Sequence, residues 1–343
     1  MIRTISSLLI ALCGAVGLLL LPAPSASAAD GDVWAVDDMQ GKKKDDVAEN
    51  VSGIACATDI GFPRNCLLID DETQGAQWVT VTDGKIAAGK YERLITNTFG
   101  PEQKKVELDG EAVAMHAGKF YVAGSHGHPR DSNNKLDDKK DAEEISARIS
   151  ANSQLFEIVS GSAPKPTQNL AKLFEAQKDL KPYINIRLQA NGLNLEGLAI
   201  WDNAGKTELL AGLRGPLIES KAIVVGAELN KLFNGSPDEA RLIKLDLDGR
   251  GIRDLVRYGN GFLIIGGPSG DEDGVYAIYR WDGTSTRPTL AKTLPEIRGK
   301  KKNKQRKPEA LLPLDAPADN ARVLVMFDGE DNGGPRVYAL ERP

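Results

Sequence analysis

Five short segments of this chain resemble one another: SGIA at Ser52, EAVA at Glu111, EGLA at Glu196, RDLV at Arg253 and EALL at Glu309. Successive copies stand 59, 85, 57 and 56 residues apart. After each copy comes a second apolar run: LLID from Leu67, FYVAG from Phe120, LLAGL from Leu209, FLIIGG from Phe262 and VLVMF from Val323. A third follows in each unit: QWVTV from Gln77, QLFEIV from Gln154, AIVV from Ala222, VYAIYRW from Val275 and RVYAL from Arg336. Repetition at this period means one supersecondary unit used several times, and short apolar strands bounded by Gly, Asp, Asn and Pro make that unit β. Three or four antiparallel strands repeated radially are the blades of a β-propeller. The expected fold is therefore all-β, with five blades visible and a sixth not excluded by the 85-residue gap. A two-sheet sandwich is the alternative, and it gives no reason for a motif recurring every 56–59 residues.

The ring must close. The early segment DVWAV (32–36) suits an outer strand beside RVYAL, which would hide two sheet edges. The gap in the repeat has room for an insertion around 128–150 and for a helix around 169–180, where Leu170, Leu173, Phe174 and Leu180 recur on one face. Residues 29–343 then read as a single propeller domain.

The N-terminus predicts export. Arg3 is the only charge before Asp30, and the run from Leu8 to Leu21 carries no polar side chain. It is shorter than the roughly 20 residues a membrane span needs. Ala26-Ser27-Ala28 fits a signal-peptidase site, so residues 1–28 read as a signal peptide cut before Ala29. No later stretch is long and apolar enough to span a bilayer, and the expected location is the periplasm or the exterior. The net charge of −5 becomes −6 when Arg3 leaves with the leader, so charge gives no reason to expect nucleic acid or an anionic membrane as partner. The basic run 298–307 lacks interleaved aromatic residues for base stacking. It and the charged stretches 41–46 and 131–144 read as solvated loops. Cys56 and Cys66 flank a turn, and in an oxidising compartment they are expected to form a disulfide.

NGLNLEGLAI, AGLRGPL, AIVV, LDLDGRGIRDL, GFLIIGGPSGD, YRWDG and PEALLPL, spanning 191–314, resemble the uncharacterised bacterial family called domain of unknown function 3616. The resemblance extends from about residue 52 to the C-terminus and implies a propeller-like fold, with no established activity. The copy at Glu309 departs from it mildly, with Ala310 in place of Gly. The EGLA pattern is also distantly similar to phytase-like and esterase-like propellers, many of which bind calcium, and that likeness brings in Ca²⁺ as the cofactor to consider.

Propeller topology turns the repeat into a candidate site. The innermost strand of each blade starts, and the second strand ends, at the same face close to the axis. The residues heading the innermost strands are Ser52, Glu111, Glu196, Arg253 and Glu309. The segments leaving the second strands are 70–74, 124–128, 213–216, 266–273 and 327–332, which carry Arg214, His126, Asp328 and Asp331. Together they predict an acidic mouth studded with arginine. Like charges so placed are relieved in one of two ways. A hard cation collects oxygens from Glu111, Glu196, Glu309, Asp328 and Asp331, or the arginines pair with the glutamates and lock blade to blade. Asp254, beside Arg253 at a crowded position, points to a hydrogen bond reaching the next blade. Ser125 and His126, as neighbours on an extended strand, face opposite ways, and the H-x-H pair of His126 and His128 lacks the further N or S ligands that zinc requires.

Two functions follow. One is a binding or scaffold module of the bacterial envelope, taking a small ligand or an envelope protein. The other is a calcium-dependent phosphoester or ester hydrolase of phytase-like type, with Glu196, Arg253, Arg214 and His126 as its catalytic candidates. The mouth offers few cations for handling phosphate, which weighs against the second.

Overall fold

The computed structural model describes residues 30–43, 46–130, 136–203, 205–237, 240–299 and 303–341. The expected signal peptide, 1–28, lies outside them. Five sheets form a five-bladed propeller. The innermost strands are Val51–Cys56, Gly110–His116, Asn194–Asn203, Gly251–Tyr258 and Lys307–Pro313, in blades 1 to 5. Each packs against the innermost strand of the next blade, and the fifth packs against the first, so the ring is closed. The five blades expected from the repeat are the ones observed, and among the described residues the long gap adds no sixth. The long gap holds helix α1 (Ala142–Asn152), inserted between the second and third strands of blade 2. It also holds helix α2 (Asn169–Ala176) and two single 3₁₀ turns on the way to blade 3. A third helix, α3 (Leu229–Asn234), links the outer strands of blade 3.

The apolar runs are continuous rather than alternating because each sheet is buried on both faces. Five hydrophobic clusters result, one at each blade–blade interface. Leu209, Ala211 and Leu213 pack toward blade 2, while Leu210 between them packs toward blade 4. Val323, Val325 and Phe327 pack toward blade 4, while Leu324 and Met326 pack toward blade 1. Period-two alternation therefore distributes side chains between two cores, not between core and solvent.

The ring is fastened by the N-terminal segment. Asp32 and Val33 pair antiparallel with Val337 and Arg336 on the outer edge of blade 5. Ala35 and Val36 then run parallel to Lys85 and Ile86 on the outer edge of blade 1. Trp34, between the two pairings, is buried against Phe62 at the interface of those blades. One short segment thus covers two sheet edges. In blade 1, Cys56 and Cys66 lie directly opposite each other on neighbouring strands and form the expected disulfide.

Candidate functional site

All five innermost strands carry a β-bulge at the same position. In blade 1, Val51 faces Asp70 and Gly53 faces Ile69, so Ser52 is left over. Glu111, Glu196, Arg253 and Glu309 are skipped in the same way in the other blades. A bulge frees one residue from the ladder and re-aims its side chain. The repeat heads SGIA, EAVA, EGLA, RDLV and EALL are the sequence trace of this bulge. All five side chains are buried.

The following position must be small or hydrogen-bonded. A Cβ on Gly53 would stand 3.0 Å from Val113 N of blade 2, and one on Gly197 would stand 2.9 Å from Leu255 N of blade 4. Asp254 holds this place in blade 4. Its carboxylate accepts from its neighbour Leu255 N and, across the interface, from Leu311 N of blade 5, both at 2.7 Å. Burial pushes the Asp254 carboxyl well above its ordinary range against the pull of those two donors.

On one side of the mouth the charges pair. Arg214 donates to Glu196 at 2.9 Å. Arg253 Nε stands 2.9 Å from Glu196 Oε2, a charge contact without hydrogen-bond alignment, and Arg253 Nη2 donates to Glu309. Arg214 also donates to the carbonyls of Ser269 and Gly270 and, at 3.0 Å, to Asp271. Asp271 in turn accepts from Arg130 through both oxygens, at 2.6 and 2.7 Å. Burial acts to raise the Asp271 carboxyl, but Arg130, Arg214 and Lys307 hold it below the usual carboxylate range. Glu196 and Glu309, expected among the metal ligands, are thus engaged by arginine, and Arg214 and Arg253 are enclosed by their partners.

The other side of the mouth, in blades 1 and 2, is different. Asp71, Asp109 and Glu111 bring their carboxylate oxygens within 4.8 Å of one another. Among the described residues none of the three forms an ion pair. Glu111 is 5% exposed and makes no side-chain hydrogen bond among the described residues, and Asp71 Oδ1 is buried without a partner there. Asp109 accepts from Ser125 Oγ and Asn152. Burial first, and then repulsion from Glu196 and Asp109, push the Glu111 carboxyl well up. Burial and the charges of Glu111, Asp328, Asp70 and Asp109 do the same to Asp71. Backbone fixes the arrangement: Asp109 N donates to the Asp71 carbonyl at 3.1 Å, tying blade 1 to blade 2.

Of the five expected metal ligands, only Glu111 belongs to this trio. Asp328 stands 3.3 Å from Lys307, and Asp331 is exposed on the turn Asp331–Gly333. Asp71 lay inside a segment expected at the mouth. Asp109 had no place in that pattern, because it precedes the repeat head by two residues on a left-handed turn (φ 54°). Ser125 and His126 lie just beyond the strand Lys119–Gly124 rather than on it, His126 with φ 55°, and their side chains make separate contacts. Ser125 bonds Asp109, while the His126 ring packs edge-on against Phe174 of α2, away from the mouth. His128 contacts the Pro129 carbonyl and stands 3.5 Å from Asp138.

Asp71 and Asp109 line a polar cavity of about 590 Å³ at the start of the innermost strands, whose walls also include Asn50, Arg130, Asn194, Asp271 and Tyr276, and Glu111 stands behind them.

The model of a family described as protein of unknown function (DUF3616) matches residues 159–336, just over half of the chain. No curated protein matches it in sequence. Similar solved structures include an exo-β-1,3-galactanase from Phanerochaete chrysosporium, with TM-score 0.43 and 10% identity over 90% of this chain and 63% of that one. An exo-β-1,3-galactanase from Clostridium thermocellum has TM-score 0.44 and 11% identity over 89% of this chain and 61% of that one. A luciferin-regenerating enzyme has TM-score 0.38 and 12% identity over 87% and 78%. The chain spans about three-fifths of the length of the two galactanases. Similarity at this level says nothing about what the chain acts on.

Proposed function

The chain belongs to the DUF3616 family of proteins of unknown function, and we propose that it is an exported binding module of the bacterial envelope that captures a small oxygen-rich ligand through a divalent cation at its channel mouth. The observation that carries this reading is the trio Asp71, Asp109 and Glu111, with Glu111 buried and unpartnered. Removing a carboxylate from water without a partner costs several kcal/mol unless a cation or a proton neutralises it. The donor set is oxygen only, which suits Ca²⁺ or Mg²⁺ rather than zinc or copper. Ca²⁺ takes about 6–8 oxygens, so three carboxylates would leave positions for water and for ligand.

Export is supported by the disulfide, which persists in oxidising compartments, and by the apolar leader. Among the described residues, no helix is long and apolar enough to cross a membrane.

The pairing of the arginines favours binding over hydrolysis. A phosphoester hydrolase needs cations free to meet charge developing in the transition state. Arg214 and Arg253 are buried and charge-paired with Glu196 and Glu309, although Nη1 of Arg253 has no hydrogen-bond partner.

The test is a thermal melt in chelator and then in excess Ca²⁺ or Mg²⁺. At about a thousandfold over Kd, binding stabilises by roughly 4 kcal/mol, which is a shift of several degrees for a chain of this size. We expect the shift in the natural protein and its loss in Glu111→Gln. In chelator the same variant should melt at or above the natural protein, because it removes a repelled carboxylate. A natural protein indifferent to both cations, or a variant that keeps the full shift, would overturn the reading.

A further inference from the structure

The channel has a second end. The far ends of all five innermost strands enclose a cavity of about 510 Å³, on the opposite face of the propeller from the carboxylate trio. Ile54, Val113, Leu198, Ile200, Val256 and Leu311 give it apolar walls. Two arginines line it as well, and neither has a carboxylate within 4 Å among the described residues.

Arg64 is 2% exposed. Its Nη1 donates to the carbonyls of Asp59 and Pro313, at 3.0 and 2.9 Å, while its Nε and Nη2 are buried without partners. Arg257 donates through Nη2 to the Gly259 carbonyl at 2.9 Å, and its Nη1 is buried and unpartnered. Each guanidinium stacks over a phenylalanine, Arg64 on Phe62 and Arg257 on Phe262, both at 5.1 Å. Stacking uses the face of the guanidinium, whereas its N–H donors lie in the plane and remain to be satisfied. Burial pushes both guanidiniums down from their ordinary values, against the pull of Asp315 and Asp59 on Arg64 and of Asp59 and Asp202 on Arg257.

From the apolar walls and the unspent donors of Arg64 and Arg257, we infer that this cavity binds an apolar monocarboxylate, its acid group at the arginines and its body against the strand ends. The size falls within the range of small-molecule sites, roughly 300–1,000 Å³. A carboxylate is planar and accepts two parallel N–H bonds, which matches the guanidinium edge. Single charge is favoured over double because Asp59, Asp202 and Asp315 also line the cavity. Asp315 is neutralised by Arg322, while Asp59 and Asp202 keep their charge and would repel a second negative charge. This inference is independent of the cation at the other end.

The experiment uses purified protein in chelator, so that the trio is silent. The probe is 8-anilinonaphthalene-1-sulfonate, an apolar monoanion, followed by fluorescence and displaced with decanoate or with decanol. We expect saturable binding, and displacement by decanoate at a concentration roughly tenfold or more below that of decanol, the scale of one charge-assisted hydrogen bond. Arg257→Met, which leaves the two carbonyl bonds of Arg64 in place, should remove that preference and keep the melt of the natural protein. Asp59→Asn should strengthen decanoate binding severalfold and leave decanol unchanged. Equal potency of acid and alcohol, a preference that survives Arg257→Met, or no saturable binding would each overturn the inference.

Discussion

Arg253 is the residue on which the ring's polar interior turns. It is fully buried and reaches Glu196 of blade 3 and Glu309 of blade 5, so one side chain joins three consecutive blades. Arg253→Ala would leave Glu309 without its cation and Glu196 with only Arg214. Breaking a buried pair from one side costs about 3–5 kcal/mol, and urea denaturation should show a loss of that order. The double replacement Arg253→Met with Glu309→Gln should cost less than the single one, because no uncompensated charge then remains at that interface. His126 makes a separate prediction about acid. Burial against α2 lowers its pKa from 6.5 to about 4, although the Gly124 carbonyl pulls the other way. A depressed folded-state pKa contributes stability that is present above 6.5 and is lost as pH falls toward 4. The full difference is about 3 kcal/mol. His126→Asn, which tolerates the left-handed backbone at φ 55°, should flatten the fall in melting temperature between pH 6.5 and 4.

At the scale of elements, two devices recur. The first is the bulge at the head of every innermost strand, which converts a four-residue motif into an inward-aimed ring of side chains. The second is the shared closing segment. Because residues 32–36 divide their pairing between blades 5 and 1, the seam depends on the residue in the middle. Trp34→Ala should cost about 3–5 kcal/mol, the usual range for emptying a buried aromatic site. Guanidinium unfolding would measure it. A loss under 1 kcal/mol would mean that the hydrogen bonds of the segment close the ring without the side chain.

The whole molecule is a closed channel with unlike ends. One end is polar, neutralised by arginine along blades 3 to 5 and left acidic along blades 1 and 2. The other is apolar, with arginine donors unspent. The blades themselves were legible in the chain, since strand runs bounded by turn residues and a recurring motif are local and periodic. So was the disulfide, whose cysteines flank one turn. The reach of Asp254 to the next blade was legible too, because a carboxylate at a position otherwise glycine or alanine needs a partner. Five blades could be counted, but the chain left a sixth open, because α1 and the passage through α2 stretch one interval without adding a sheet. The division of the carboxylates was not legible. Glu111, Glu196 and Glu309 occupy one position of the repeat and differ only in their neighbours: Arg253 stands between blades 3 and 5, while Glu111 faces Asp71 and Asp109. A repeat motif determines where along a strand a charge sits. Which opposite charge reaches it depends on side chains some 18 to 60 residues away in the chain, and only closure of the ring brings those together.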